Sequence, residues 1–190
     1  MKTLFISLKL LLFFTILTGI IYPLFVTGIA QLTFHEKANG SLIVKNNRII
    51  GSELIGQRFD STIYFTSRPS AIAYNPLPSG GSNFGLTNAK LVHWVDSLKK
   101  QFILFNQLDT HSEIPSEMVF SSASGLDPHI SPRASMMQVE RIVKVRQFND
   151  GQRQQLLQSI AELSQPPQYL FLGENRINVL LLNLKLDEIK

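Results

Sequence analysis

Residues 10–30 read LLLFFTILTGIIYPLFVTGIA, 21 consecutive positions without a charge. At 1.5 Å rise per residue this stretch makes a helix of roughly 31 Å, which matches the hydrocarbon thickness of a bilayer. Tyr22 and Pro23 interrupt it, but proline is tolerated where neighbouring helices repair the backbone. The competing reading is a secretory signal peptide cleaved after Ala30, since Gly28 and Ala30 are small. A signal's apolar region usually spans only 7–15 residues, so an uncleaved anchor is expected. Thr15, Thr18 and Gly19 are small or weakly polar at the centre of the helix. Thr15 and Gly19 stand four apart on one face, where a partner backbone can approach.

The charges around this segment set its expected orientation. Lys2 and Lys9 precede it, while Lys37, Lys45 and Arg48 follow. The overall count is balanced, but Gln31 to His35 holds no Lys or Arg, so the immediate flanks favour a cytoplasmic N-terminus. The expected organisation is a short cytoplasmic leader (1–9), a transmembrane helix (10–30) and an extracytoplasmic soluble domain (31–190).

The 190 residues carry a net charge of +4 and a sequence pI of about 9.4. With Lys2 and Lys9 set aside, 16 of the 18 Lys/Arg and all 14 Asp/Glu lie in residues 31–190, a balance of +2. A phosphate-tracking surface needs a concentrated cationic excess, so nucleic acid is not an expected partner. The most basic stretch, Arg133 to Arg153, is expected to be a solvated helix face. No cysteine occurs, which excludes disulfides, thiol nucleophiles and cysteine-based zinc sites.

Past the anchor, Leu42-Ile43-Val44 and Ile49-Ile50 flank Asn46-Asn47, a hairpin pattern. Ser61–Thr66 reads as a short strand. Residues 67–87 are rich in Pro and Gly, and so long an irregular connection suggests a use for its shape. Thr87 or Asn88 can cap a helix from Ala89, with Leu91, Val95, Leu98, Phe102 and Phe105 on one face. Trp94 extends that buried face or marks a contact surface; burial is the preferred reading. A further short strand is expected at Met118–Phe120. Ser131-Pro132 opens a helix expected to run to about Gln147, and Asp150 can cap another, with Leu156, Leu157, Ile160 and Leu163 as its stripe. Pro166-Pro167 ends that helix. Tyr169–Leu172 and Ile177–Leu186 read as strands, although the second, leucine-rich, can also be a helix. The expected fold is α+β (mixed α/β), a single soluble domain attached to one N-terminal transmembrane helix.

Candidate chemistry is sparse. Asp127-Pro128-His129 invites an acid–base or metal reading, but no further ligands stand at metal spacing around it. A turn network is more economical: Asp127 accepts backbone N–H bonds, Pro128 and Pro132 stiffen the loop, His129 sits within it and Ser131 caps the next helix. Ser79-Gly80-Gly81-Ser82-Asn83 lacks the ending of a phosphate-binding loop. Together with Thr87 and Asn88 its polar side chains suit a partner-contact surface. No catalytic or metal-binding residue is expected. On residues alone the chain is a membrane-anchored interaction domain, not an enzyme.

Four segments together resemble a known family, the C subunit of the bacterial Kdp potassium-transporting ATPase. The first is the anchor ending Thr18-Gly19-Ile20-Ile21-Tyr22-Pro23. The second is Tyr64-Phe65-x-x-Arg68-Pro69-Ser70, continuing through Tyr74-Asn75 and Ser79–Asn83 to Thr87-Asn88. The third is Ser124–Pro132, followed by Gln138-Val139-x-Arg141. The fourth runs from Leu172-Gly173-Glu174 through Asn178-Val179-Leu180 to Leu182-Asn183-Leu184. Leu86 stands where the family usually has proline, and Ala123 and Gln147 where it usually has glycine.

The resemblance implies an accessory subunit, without a catalytic site of its own, in a complex that couples ATP hydrolysis to high-affinity potassium uptake. The implied partners are a channel-like A subunit, a P-type ATPase B subunit that holds the catalytic site, and a small F subunit. It also implies one transmembrane helix in the bacterial inner membrane and an outward-facing domain. The family's C subunit is described as a catalytic chaperone that raises the ATP affinity of the B subunit. No cofactor is expected on this chain, ATP and potassium acting at the level of the complex. The alternative kept open is a membrane-anchored scaffold for another complex.

Overall fold

A computed structural model describes residues 2–189. The chain divides into two compact units, Met1–Ser52 and Glu53–Lys190. In the first, helix α1 (Lys2–Ile16), a π-helical turn (Leu17–Ile21) and helix α2 (Tyr22–Thr33) form one continuous rod. The wide turn has a local cause in Pro23, which brings no N–H to the ladder, while the Tyr22 N–H reaches back five residues to the Leu17 carbonyl. This rod is long and apolar enough to cross a membrane, and none of its described side chains is buried. A four-residue helix α3 (His35–Ala38) follows, then strands β1 (Leu42–Lys45) and β2 (Arg48–Ser52) pair antiparallel. Asn46 and Asn47 both take left-handed backbone angles (φ 52° and 58°). That pair of conformations matches the right-handed twist of a two-residue hairpin.

The second unit is mixed helix and sheet. Its elements are α4 (Ala89–Asn106), a 3₁₀ turn (Ser116–Met118), β3 (His129–Ile130), α5 (Pro132–Met136), α6 (Val139–Arg146), α7 (Asp150–Leu163), β4 (Ile177–Asn178) and α8 (Val179–Leu186). Strands β3 and β4 pair antiparallel, His129 opposite Asn178 and Ile130 opposite Ile177. Helix α7 packs on α5, α6 and α8. The core between them holds Phe65, Phe102, Met118, Ile130, Val139, Ile142, Leu156, Ile160, Ile177, Leu182 and Leu186.

Several sequence expectations change here, each for a physical reason. Met118–Phe120 is not a strand: Pro115 and Ser116 carbonyls accept from Met118, Val119 and Phe120, closing a 3₁₀ turn instead. The helix opened by Ser131 is broken at Met137–Gln138, where the Gln138 N–H bonds to Ser135 and α6 begins afresh. Asn149 rather than Asp150 caps α7, through a reciprocal bond pair with Gln152. Tyr169–Leu172 forms a tight loop tip. Asn178 resolves the ambiguity in the last segment. It ends β4, accepts from Leu181 N–H at 3.1 Å as the cap of α8, and donates to the Glu53 carbonyl at 2.8 Å.

Ser61–Thr66 is also not a strand, although Phe65 is fully buried. Its backbone is held by side chains in place of a neighbouring strand. Arg141 donates to the Thr62 carbonyl and to the Tyr64 carbonyl (2.9 Å), and Arg146 to the Ile63 carbonyl (2.8 Å). Asn183 takes both polar groups of Phe65, accepting from its N–H at 2.8 Å and donating to its carbonyl at 2.9 Å. Gln138 accepts from the Thr66 N–H at 2.8 Å. These side chains supply the pairing that buried backbone requires.

Candidate functional site

Two irregular segments meet at Arg68 and Asp127. The Arg68 guanidinium donates to Asp127 Oδ2 at 2.6 Å, and Asp127 Oδ1 accepts from the His129 N–H at 3.0 Å. The His129 ring nitrogen Nδ1 lies 3.4 Å from the same oxygen. Burial alone raises the Asp127 pKa; the His129 ring and N–H, with Arg68, outweigh it and hold the carboxyl at about 2. An acid ionised this completely is a poor proton donor at neutral pH and serves as a fixed anion. Ser131 caps α5, accepting from the Ala134 N–H at 3.1 Å with Pro132 at the first helical position, and Pro128 receives the Val179 N–H at 2.9 Å. Asp127, Pro128, His129, Ser131 and Pro132 are thus drawn into one turn and helix start.

Around this node the backbones run very close. A β-carbon on Gly56 would lie 2.6 Å from the Asp127 carbonyl oxygen, while the Gly56 N–H donates to the Leu126 carbonyl at 2.7 Å. Gly125 has φ +70°, and a side chain there would strike Ile72. The Gly80 N–H donates to the Ser124 carbonyl at 3.1 Å. Of the candidate contact loop, Gly80 and Gly81 lie half-buried against the 122–126 turn, and Ser82 is half-buried. Ser79, Asn83 and Thr87 are exposed, and Asn88 caps α4 by accepting from the Lys90 N–H at 2.9 Å. The loop is therefore moulded on the Asp127 turn, not free-standing.

Tyr74 secures the other end, its hydroxyl donating to the Arg68 carbonyl and burial pushing its pKa up to about 12. Beside it opens a cleft of about 850 Å³ lined by Phe59, Tyr74, Trp94, Leu98, Phe102 and Phe105. Trp94 is half-buried at its wall, between the two readings made from sequence.

The basic stretch differs from its expected solvated face at its centre. Arg141 is 2% exposed. Its Nε donates to Asn106 Oδ1 at 2.9 Å, another nitrogen reaches Gln138 Oε1 at 3.1 Å, and the guanidinium lies 4.6 Å from the Phe105 ring centre. Burial lowers its pKa to about 10, which leaves it cationic at neutral pH. Arg146 pairs with Asp187 at 2.7 Å, and Arg153 with Glu140 at 2.6 Å. Sequence reasoning missed this clamp. Its signal was available in the polar pair Gln138 and Arg141, three apart and alternating with buried Val139 and Ile142 on one short helix.

In the membrane-length rod, the Thr18 hydroxyl bonds back to the Phe14 carbonyl at 2.7 Å, and nothing stands within 4 Å of a β-carbon placed on Gly19. Thr15, Thr18 and Gly19 are all exposed, and the π turn begins between Thr15 and Thr18. No group of three His, Asp or Glu side chains gathers among the described residues.

The whole chain has relatives. A family model described as "KdpC: K+-transporting ATPase, c chain" matches residues 4–188. The Potassium-transporting ATPase KdpC subunit of Leptospira interrogans is 44% identical over 182 residues, covering 96% of this chain and 92% of that protein. The protein of the same name from Caldanaerobacter subterraneus is 42% identical, covering 97% and 94%. That of Geobacter sulfurreducens is 44% identical, covering 100% and 99%. Similarity at this level over anchor and domain together leaves one assignment: the chain belongs to the KdpC family of potassium-transporting ATPase subunits.

Proposed function

We propose that this chain is the accessory, non-catalytic subunit of an ATP-driven, high-affinity potassium uptake complex. In this role it supports assembly and coupling with the channel-like A subunit, the P-type ATPase B subunit and the small F subunit. The observation that carries the reading is the family match over residues 4–188, which takes in the apolar helix and the domain alike. ATP hydrolysis belongs to the B subunit, and ATP and potassium act on the complex. This chain contributes contact surfaces. One is the Thr15–Thr18–Gly19 face, open enough for a second helix to approach closely. The other is the 79–88 loop.

The sidedness that follows is an N-terminus in the cytoplasm and residues 31–190 outside the bacterial inner membrane. Lys2 and Lys9 before the helix, and the absence of Lys or Arg from Gln31 to His35, support it. A domain so placed is across the bilayer from cytoplasmic nucleotide. Its chaperone effect on ATP affinity then runs through the membrane helices as a coupling free energy between separate sites.

Co-purification from a mild-detergent extract tests the reading. A tagged chain should recover both a channel-like membrane protein and a P-type ATPase, and its deletion should slow growth at limiting potassium. Recovery of neither would overturn it, and recovery of a different membrane complex would favour the scaffold alternative. Sidedness is read separately with single cysteines at exposed Thr110 and, as the opposite-side control, Ser7. An impermeant thiol reagent should label only the first while the inner membrane is intact. Ser52 is unsuited as a reporter, being buried and bonded through its hydroxyl to the Gly40 carbonyl at 2.6 Å.

A further inference from the structure

After Pro166-Pro167, the tip of residues 168–172 points four successive apolar side chains at water. Tyr169 is 80% exposed, Leu170 89%, Phe171 77% and Leu172 51%. A soluble surface seldom carries so apolar a point without a use for it.

Its construction indicates what covers it. Gln168 and Leu172 exchange both backbone bonds at 2.9 Å, Leu170 N–H bonds to the Pro167 carbonyl at 3.2 Å, and Phe171 N–H to Gln168 at 3.3 Å. Below them Gln165 and Arg176 exchange bonds of 2.8 and 3.0 Å. Peptide groups already paired in this way can leave water without stranding a donor or acceptor. Tyr169 and Leu170 both take left-handed angles (φ 52° and 72°), a conformation unfavourable for residues with a β-carbon. Strain that fixes a shape suits a fitted protein seat, whereas fluid lipid requires no particular shape. Charge points the same way. Residues 165–173 hold no Lys or Arg, and the one cation at the base, Arg176, donates its Nε to Gln165 Oε1 at 3.2 Å with Glu174 two residues away, so no cationic cluster gathers here for an anionic headgroup.

We infer that the 169–172 tip is an anchor seated in an apolar, uncharged pocket on another subunit of the same complex. The inference rests on the reading of this chain as a complex subunit. Four side chains cover far less than the ~800 Å² per partner of a self-sufficient interface. The tip is therefore a second attachment in addition to the membrane helix, and tethering makes even a small contact effective.

Leu170→Cys, made in residues 1–190, which hold no other cysteine, carries a bimane label for the test. Emission is compared for the chain alone in nanodiscs, with and without brominated lipid, and for the assembled complex. The expected result is a blue shift and at least fivefold protection from aqueous iodide on assembly only, with no quenching by brominated lipid. Lipid quenching of the chain alone would overturn the inference in favour of the membrane surface. Equal iodide access before and after assembly would also overturn it. Phe171→Asp provides a second measurement without a label: the folded domain should keep its melting temperature while the subunit leaves the complex about tenfold faster. Unchanged retention would count against the anchor. If the wild-type chain recovers no partner, the proposed function fails. If it recovers them while the tip stays wet, only the anchor fails.

Discussion

Arg141→Met should cost the domain about 3 kcal/mol of stability. The side chain is 2% exposed, and its hydrogen-bond partners are all neutral: the Thr62 and Tyr64 carbonyls, Asn106 Oδ1 and Gln138 Oε1. A hydrogen bond from a charged donor is worth about 1.5–3 kcal/mol, so four at the low end come to about 6 kcal/mol. Against them stands desolvation of the cation. Burial takes its pKa from 12.5 to about 10, and at about 1.4 kcal/mol per pH unit that penalty is roughly 3 kcal/mol. The penalty applies wherever the guanidinium is charged in both states, below about pH 10, so the net loss should be flat from pH 6 to 9. Urea unfolding of the chain, anchor helix included, in detergent, followed through its single tryptophan, Trp94, gives the difference. Arg141→Lys should fall between wild type and Met, since lysine keeps the charge but has three donors and no planar fork. A Met variant as stable as wild type would refute the clamp, because buried ionic groups can be a net cost that apolar packing relieves.

Asp127→Asn should lower the melting temperature at neutral pH. The folded pKa of about 2 lies below the ordinary 3.8, so the stabilisation is complete above about pH 4 and fades as pH falls towards 2. The drop corresponds to about 2 kcal/mol, discounted to roughly 1–2 because the side chain is 27% exposed; about a third of the gap should remain at pH 2.5, and a gap as wide there as at neutral pH would exclude the ion pair as its source. Gly56→Ala should destabilise by about 2–3 kcal/mol, since its β-carbon would meet backbone at 2.6 Å that has no side-chain end to move; thermal melts resolve a change of that size. Gln147→Gly should stabilise by about 0.5 kcal/mol, measured the same way. The residue ends α6 with φ +55°, where glycine carries no β-carbon penalty, although the gain is reduced by glycine's freer unfolded chain.

Legibility in the sequence followed the range of the interaction. The apolar run of residues 10–30, the Asn46-Asn47 hairpin, the cap at Asn88 and the Ser131-Pro132 helix start all rest on neighbours within a few positions, and all stand in the structure as helix, turn or cap. Ser61–Thr66 reads as a short strand from its own residues, yet the groups that hold its backbone come from Gln138, Arg141, Arg146 and Asn183, more than 70 positions away. No local pattern announces such partners. The Asp127 turn was legible as a turn, but its salt bridge with Arg68, 59 residues distant, was not. The basic stretch misled for the opposite reason. Charge alone counted Arg141 with the solvated cations, whereas its neighbour on the same face, Gln138 three residues before, is buried with it. Gln147 is the instructive departure: it ends α6 in a left-handed turn (φ 55°) of the kind glycine favours, and no local pattern in the sequence announces it.

The long-range partners bear on how a chain of this family can serve a potassium-transporting ATPase. Buried polar networks that are fully paired specify one geometry, because every alternative arrangement strands a donor or acceptor in the interior. Here Arg141, Gln138 and Asn183 tie the irregular 61–66 segment to α6 and α8. The Arg68–Asp127 pair then ties the loop that follows to the turn before α5. Arg68 is two residues beyond Thr66, so the two sets of bonds share one short stretch of chain. The 79–88 loop rests on the same turn through Gly80 and Ser124. A displacement of that loop is therefore opposed by the clamp as well as by its own contacts. A body of this kind transmits force better than it changes shape. In the proposed complex it would act by bracing its partners, and weakening the clamp should uncouple ATP use from transport before it releases the subunit.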